Sequence, residues 1–176
     1  NFITWTVQER IEVLLKGIGC QIPKKELYDL AESLGRMEIE VPPDIINGAY
    51  EVIKQLAENY KLCIISDTII TPGANLRRLL EIHNLVQYFS GFSFSDEVGR
   101  SKPHYSMFQA AADQLNVGYE EMLHIGDREH NDVKGAQALG MRAILFTAKR
   151  DNDKYGTSAD AVCQSYDELL RVIKDL

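Results

Sequence analysis

The sequence predicts an α/β protein: a three-layer, Rossmann-like parallel sheet with a small helical segment ahead of it. Three observations lead there. Past residue 44, short apolar runs alternate with stretches of helical period, the pattern of linked strand–helix–strand units. Residues 1–41 hold two stretches of helical periodicity and no strand–helix alternation, and the Pro42-Pro43 pair separates the two patterns. The length of 176 residues suits one such domain with an appendage, and 45% hydrophobic with 26% charged residues is ordinary for a globular chain.

Taken in order, Val7, Ile11, Leu14 and Leu15 have the spacing of an amphipathic helix over residues 7–16, ending near Gly17 and Gly19. A second helix is expected from Pro23 through Leu27, Leu30 and Leu34, stopping at Gly35, with no helical period from Met37 to Pro43. Beyond that hinge, Asp44 is the expected N-cap of a helix reaching Asn59, followed by a strand at 61–66 and a helix at 72–83. A short strand at 91–95, a helix at 103–115, a strand at 121–125, a short helix at 131–139 and a strand at 142–147 complete the alternation. Residues 160–163 read as an edge strand, and Ser165 as the cap of a final helix through Leu169, Leu170 and Ile173. Strands joined this way are parallel and covered on both faces, and ligands bind at their carboxyl ends.

Charge and composition exclude several function classes. Acidic residues outnumber basic ones 26 to 19, a formal charge of -7, which argues against nucleic acid or an anionic membrane as partner. No apolar run approaches the roughly 20 residues of a membrane span, and no signal peptide is visible. Cys20, Cys63 and Cys163 are odd in number, far apart and beside apolar runs, as buried reduced thiols of a cytoplasmic protein would be. The first residue is Asn1 rather than Met, so a processed or truncated start stays open.

The chemistry is expected just after the strands. Leu62-Cys63-Ile64-Ile65 runs into Ser66-Asp67-Thr68, and Met122-Leu123-His124-Ile125 runs into Gly126-Asp127, with Asp132 five residues on. Ser101-Lys102-Pro103 stands before a helix. A hydroxyl, an ammonium and two carboxylates at one sheet edge suit a phosphate: Ser66 and Lys102 would bind its oxygens, and the carboxylates would hold Mg²⁺. Singly, each is weak evidence, since serines form turns at strand ends and aspartates cap helices. Their order and spacing together carry the reading.

In that order and spacing the chain resembles the haloacid dehalogenase-like (HAD) hydrolases from their second motif onward. Those enzymes have a Ser or Thr closing one strand, a Lys before a helix, and a Gly-Asp-x-x-x-x-Asp motif closing another strand. Ser66, Lys102, and Asp127 with Asp132 match them. The likeness is close over residues 44–150, where Ile64–Thr68 and Phe94–Pro103 read like a phosphatase-type branch; residues 1–41 resemble part of a helical cap. The resemblance implies that residues 42–176 are the core, that Ser66 and Lys102 are catalytic, and that Ser66, Asp67 and Lys102 bind phosphate. It also implies Asp127 as a direct Mg²⁺ ligand, Asp132 binding or orienting the ion, and a small phosphorylated metabolite as substrate. Asn131 and Glu129 share the loop in supporting positions, and His104 and His124 are read as a helix-start residue and a packed strand residue.

The resemblance also implies a first motif, an apolar strand ending in Asp-x-Asp-x-Thr whose first Asp attacks phosphorus. No such motif precedes the cap segment. Asp151-Asn152-Asp153 is the one Asp-x-Asp and reads as a surface loop, and Asp67-Thr68-Ile69-Ile70-Thr71 would leave no room for a cap. The chain alone is therefore expected to be inactive and to lack the middle strand of its sheet. Residues preceding Asn1, a strand exchanged from another copy, or Phe2-Ile3-Thr4-Trp5, in that order, are the expected ways to fill the gap. A non-catalytic binding or interaction protein and a metal-independent haloacid dehalogenase remain alternatives, the acidic motif favouring a metal. A response-regulator receiver also combines Asp, Ser/Thr and Lys but lacks the acidic loop at this position.

Overall fold

A computed structural model describes all residues, 1–176. The first two helices, α1 (Val7–Gly17) and α2 (Lys24–Glu40), pack on each other. Thr6 starts α1 with a capping box: its hydroxyl accepts the Glu9 N–H, and the Glu9 carboxylate accepts the Thr6 N–H at 2.7 Å. The second helix does not stop at Gly35, as the glycine suggests, but runs on to Glu40. Gly35 is there for contact: a Cβ on it would lie 3.2 Å from Pro72, which leads α4 (Gly73–Ile82). Asn75 of α4 donates to the Gly35 carbonyl at 2.8 Å, and Thr71 donates to Glu38 at 2.6 Å. These contacts seat α2 on the edge of the larger body.

The larger body alternates as expected. Helix α3 (Ala49–Ala57) precedes β1 (Cys63–Ser66); α4 leads to β2 (Gly91–Phe94), then α5 (Ser95–Val98) and α6 (Tyr105–Leu115). Next come β3 (Leu123–Gly126), a π-helical turn (Glu129–Val133), α7 (Lys134–Gln137), β4 (Arg142–Phe146), β5 (Ala161–Cys163) and α8 (Tyr166–Asp175). Every strand pairing is parallel, in two sheets: β1–β2, and β3–β4–β5. No ladder joins β1 to β3.

Strand periodicity builds the layers. In β4, Ala143 and Leu145 face one side, packing with Met107 and Phe108 of α6 and with Val133, Ala136 and Met141. Ile144 faces the other side, with Val52 and Leu56 of α3, Cys163 of β5 and Leu169 of α8. Ile65 of β1 joins the first cluster, so the two half-sheets share a hydrophobic core although they share no backbone hydrogen bonds. The Rossmann-like α/β arrangement predicted from the alternation is the one found.

Several local expectations are corrected. Asp44 caps nothing; the third helix starts at Ala49, where Gly48 turns in at φ +79°. A Cβ at Gly48 would crowd Tyr166 and Asp167 at 3.3 and 3.2 Å, so close packing on α8 decides where this helix begins. Helix α6 begins at Tyr105 rather than Pro103, because His104 supplies its cap by accepting the Ser106 N–H. The acidic loop expected as an α-helix opens instead with a π-turn, placing its carboxylates. Residues Phe2–Trp5 do not enter the gap: Ile3 bridges Arg100, and Thr4 meets Ser101 at 2.6 Å. Cys163 is buried, Cys63 is half-buried and Cys20 is exposed, so of the three thiols expected to be buried only Cys163 fully is. No helix is long and apolar enough to cross a membrane.

Phe108, fully buried where α6 meets β4, is the test of this core. Phe108→Ala should cost about 3–5 kcal/mol, read as a lowered urea midpoint. A loss below about 1 kcal/mol would mean that the α6 layer does not pack as described.

Candidate active site

The carboxyl edges of β1 and β3 lie on either side of the break between the sheets, and one side chain spans it. Lys102 extends its ammonium to the Ile65 carbonyl of β1 at 3.0 Å and to Asp132 Oδ1 at 2.6 Å. Both side chains are nearly buried, at 11% and 3% exposure, so this is an ion pair in a low-dielectric setting. Asp132 also accepts from His124 Nε2 at 3.1 Å and, on its other oxygen, from the Arg128 N–H at 3.0 Å. Gly126 makes the approach possible, because a Cβ there would overlap the Asp132 carboxyl group.

Burial alone would push the Asp132 carboxyl up, but the His124 hydrogen bond and the Lys102 charge outweigh it and hold it well below the ordinary carboxylate range. Burial pushes His124 down, so its ring is neutral near pH 7 and donates its Nε2–H to Asp132. The ring stands edge-on to Phe108 at 5.2 Å, which ties the site to the core. His124 is thus more than a packed strand residue: it belongs to the polar network. Its place two residues before Gly126, facing the acidic loop, is a signal that strand alternation alone does not carry.

Ser66 ends β1 half-buried, with only a long 3.5 Å contact from its hydroxyl to the Asp67 carbonyl, and so keeps its donor for a ligand. Asp67 is engaged: Oδ1 accepts the Lys102 N–H at 2.8 Å, and Oδ2 lies 3.4 Å from the Asn131 amide. Its carboxylate therefore ties the loop after β1 to Lys102 and to the loop after β3. The Asp127 carboxylate has no hydrogen bond or ion pair within the chain; its carbonyl accepts from Arg150 at 2.8 Å. Structure thus brings Ser66, Asp67, Lys102 and Asp132 into one neighbourhood, with Asp127 on the same loop as Asp132.

Two supporting sets escaped sequence reading. Thr68, Ser95 and Asp96 lock the loop after β1 to the end of β2: Ser95 accepts the Thr68 N–H at 2.8 Å, and Asp96 accepts the Gly73 N–H at 3.0 Å. The second set lies in the surface loop Asp151-Asn152-Asp153, which is fastened to the acidic loop. Asp153 pairs with Arg150 at 2.6 Å and accepts the Glu129 N–H at 3.0 Å. The expectation that chemistry follows each strand, applied to β4 as it was to β1 and β3, reaches this segment.

The donors suit a hard cation. Asp127 offers unpartnered carboxylate oxygens on the loop that Asp132 anchors against Gly126, and Mg²⁺ commonly takes one or two protein carboxylates and keeps water for the rest. No three His, Cys, Asp or Glu side chains come together as a ready cage. Both Asp132 oxygens are already taken, which leaves Asp127 as the carboxylate free to face an ion.

The class of protein is a hydrolase, as the family match over most of the chain shows. The chain belongs to the haloacid dehalogenase-like hydrolases, whose family profile matches residues 7–140. It is 30% identical over 133 residues to a glyceraldehyde 3-phosphate phosphatase of Pyrococcus furiosus, covering 73% of this chain and 54% of that protein. It is 35% identical over 108 residues to the 5-amino-6-(5-phospho-D-ribitylamino)uracil phosphatase YigB of Escherichia coli, covering 61% and 40%. The chain spans about half the length of the curated relatives it matches. In fold it is similar to the HAD-hydrolase YfnB of Bacillus subtilis bound to magnesium, with a TM-score of 0.70 and 21% identity over 95% of this chain and 71% of that one. An L-2-haloacid dehalogenase of Xanthobacter autotrophicus is also similar, with a TM-score of 0.67 and 18% identity over 96% and 74%. Fold likeness alone does not separate phosphatase from dehalogenase.

The depressed Asp132 carboxyl predicts an acid limit. Its folded value lies below the unfolded one, so its stabilising contribution is complete above about pH 4 and is lost as pH falls through the folded value. Urea midpoints measured from neutral pH to about pH 2.5 should fall less steeply in Asp132→Asn than in the unmutated protein. Parallel curves would mean that Asp132 is not held ionised by its neighbours.

Proposed function

We propose that this chain carries the phosphate- and metal-binding side of a Mg²⁺-dependent phosphatase that acts on a small phosphorylated metabolite. The observation that carries this reading is Lys102, held between Ile65 and Asp132 at the edge where Ser66 ends β1. An ammonium fixed there and a free hydroxyl beside it bind phosphoryl oxygens as charge builds on them. Asp127 would face the ion directly, and Asp132 would hold the loop and Lys102 in register. Bound Mg²⁺ would neutralise phosphoryl charge and orient the group for attack. The phosphatase names of the curated relatives support the reaction class.

The break between β1 and β3 is, in this reading, the place of the strand that ends in the nucleophile. Residues 1–41 then form part of a cap, and 42–176 a core lacking that strand. A strand from another copy of the chain would fill the same gap, making a homo-oligomer. Neither nucleic acid nor membrane is a partner here, and the unbridged cysteines suit the cytoplasm. Residues 1–176 alone should not turn over phosphomonoesters, because no carboxylate stands where a covalent acceptor is needed.

A second reading has its own support. The Lys102–Asp132 pair is already satisfied without a ligand, as a non-catalytic binding relative would keep it.

Binding of inorganic phosphate checks the anion site. Lys102→Ala should weaken it more than Ser66→Ala, since a full charge is removed; equal affinity in Lys102→Ala and the unmutated chain would sink the assignment. Because Lys102→Ala also strands the buried Asp132, thermal unfolding should accompany the titration.

Mg²⁺ titration and an assay with a generic phosphomonoester check the remainder. Mg²⁺ should bind weakly and be lost in Asp127→Asn, with no turnover in either protein. Robust turnover abolished by mutating a carboxylate within these 176 residues would overturn the proposed absence of the nucleophile.

A further inference from the structure

We propose that Arg150 and Asp153 are positioning residues that set the direction of the Asp127 carboxylate by clamping the backbone on both sides of Arg128. This rests on the reading of Asp127 as the residue facing the metal.

The geometry is reciprocal. Arg150 Nη1 donates to the Asp127 carbonyl at 2.8 Å and to Asp153 Oδ2 at 2.6 Å. The same Asp153 oxygen accepts the Glu129 N–H at 3.0 Å. One nitrogen and one oxygen of the segment after β4 thus grip the peptide groups before and after Arg128, which is held extended at φ -125°, ψ 123°.

The far end of the same segment is fastened as well. Thr157 donates to Glu129 Oε2 at 2.5 Å, and the Ser158 N–H and hydroxyl donate to Glu129 Oε1 at 3.0 and 2.8 Å.

An Arg–Asp pair three residues apart on a surface usually contributes little to stability, and this one is partly exposed on both sides. What sets it apart is where its spare bonds go. Both partners bond the backbone of another loop, and that loop carries a carboxylate with no partner of its own. A side chain without a hydrogen-bonded partner takes the direction of its Cα–Cβ bond from its backbone. The pair should therefore matter more to what Asp127 binds than to how stably the chain folds. The arrangement corresponds to the outer support that orients ligands at metal sites, whose loss commonly weakens metal about 10–100-fold.

The test uses the full chain without metal first. By NMR hydrogen exchange, the Glu129 amide should be protected in the unmutated protein and should exchange roughly 10-fold faster in Asp153→Ala. Arg150→Met should shift the Asp127–Asn131 amide resonances, Arg150→Lys should partly restore them, and the urea midpoint should stay near the unmutated value. Mg²⁺ alone is then titrated, with the same amides as readout. Both Arg150→Met and Asp153→Ala should bind it about 10-fold more weakly. Unchanged Glu129 exchange, or unchanged Mg²⁺ affinity in both variants of a chain that binds it, overturns the clamp. Asp127→Asn separates the two ideas, because it keeps the carbonyl that Arg150 grips. Loss of Mg²⁺ with Glu129 protection retained supports both. Mg²⁺ binding that ignores Asp127→Asn, or is absent from the unmutated chain, removes the metal reading, and Glu129 exchange alone then decides the clamp.

Discussion

A lysine ammonium placed between two half-sheets is the contact on which the site depends. No ladder joins β1 to β3, so their polar edges are connected through Lys102, which donates to the Ile65 carbonyl and to Asp132. Breaking a buried pair by removing one partner costs about 3–5 kcal/mol, because the other charge stays desolvated. The network around it limits that exposure: His124 and the Arg128 N–H take the remaining demand on Asp132. A polar cluster so fully satisfied is rigid, which is what binding a multiply charged group requires.

Beneath this polar bridge lies an apolar one. The cluster around Phe108 and Leu145 takes in Ile65 from the first half-sheet, while Ile144 packs the opposite face against α3 and α8. Hydrophobic contact is not directional, so it tolerates a break in the strand ladder that hydrogen bonding registers at once. The two halves are thus held together by side chains below and by charge at the carboxyl edge.

The loops after the strands support one another instead of standing alone. Thr68 and Ser95 tie the end of β1 to the end of β2, and Arg150 and Asp153 tie the end of β4 to the loop after β3. Asp67, Lys102 and Asp127 are each backed by a neighbour from a different loop or strand. The N-terminal helical segment is joined to the larger body through Gly35 and Glu38 at the start of α4 and through Ile3 and Thr4 beside Arg100 and Ser101.

Much of this was legible in the residues themselves. The alternation of apolar runs with helical periods determined the parallel α/β class, because strand and helix periods are local properties of sequence. The order Ser66, Lys102, Asp127, Asp132 pointed to the family and to the edge of the candidate site, because each residue follows a strand or precedes a helix. Composition did not reveal that α2 passes through Gly35, since Pro72 and Asn75, which make a glycine useful there, lie some forty residues away along the chain. Nor did it reveal that His124 turns toward Asp132 or that Asp153 grips the loop of Asp127. Those are contacts between side chains and backbone of separate elements, and only the packed tertiary structure decides which of many polar residues within reach become partners.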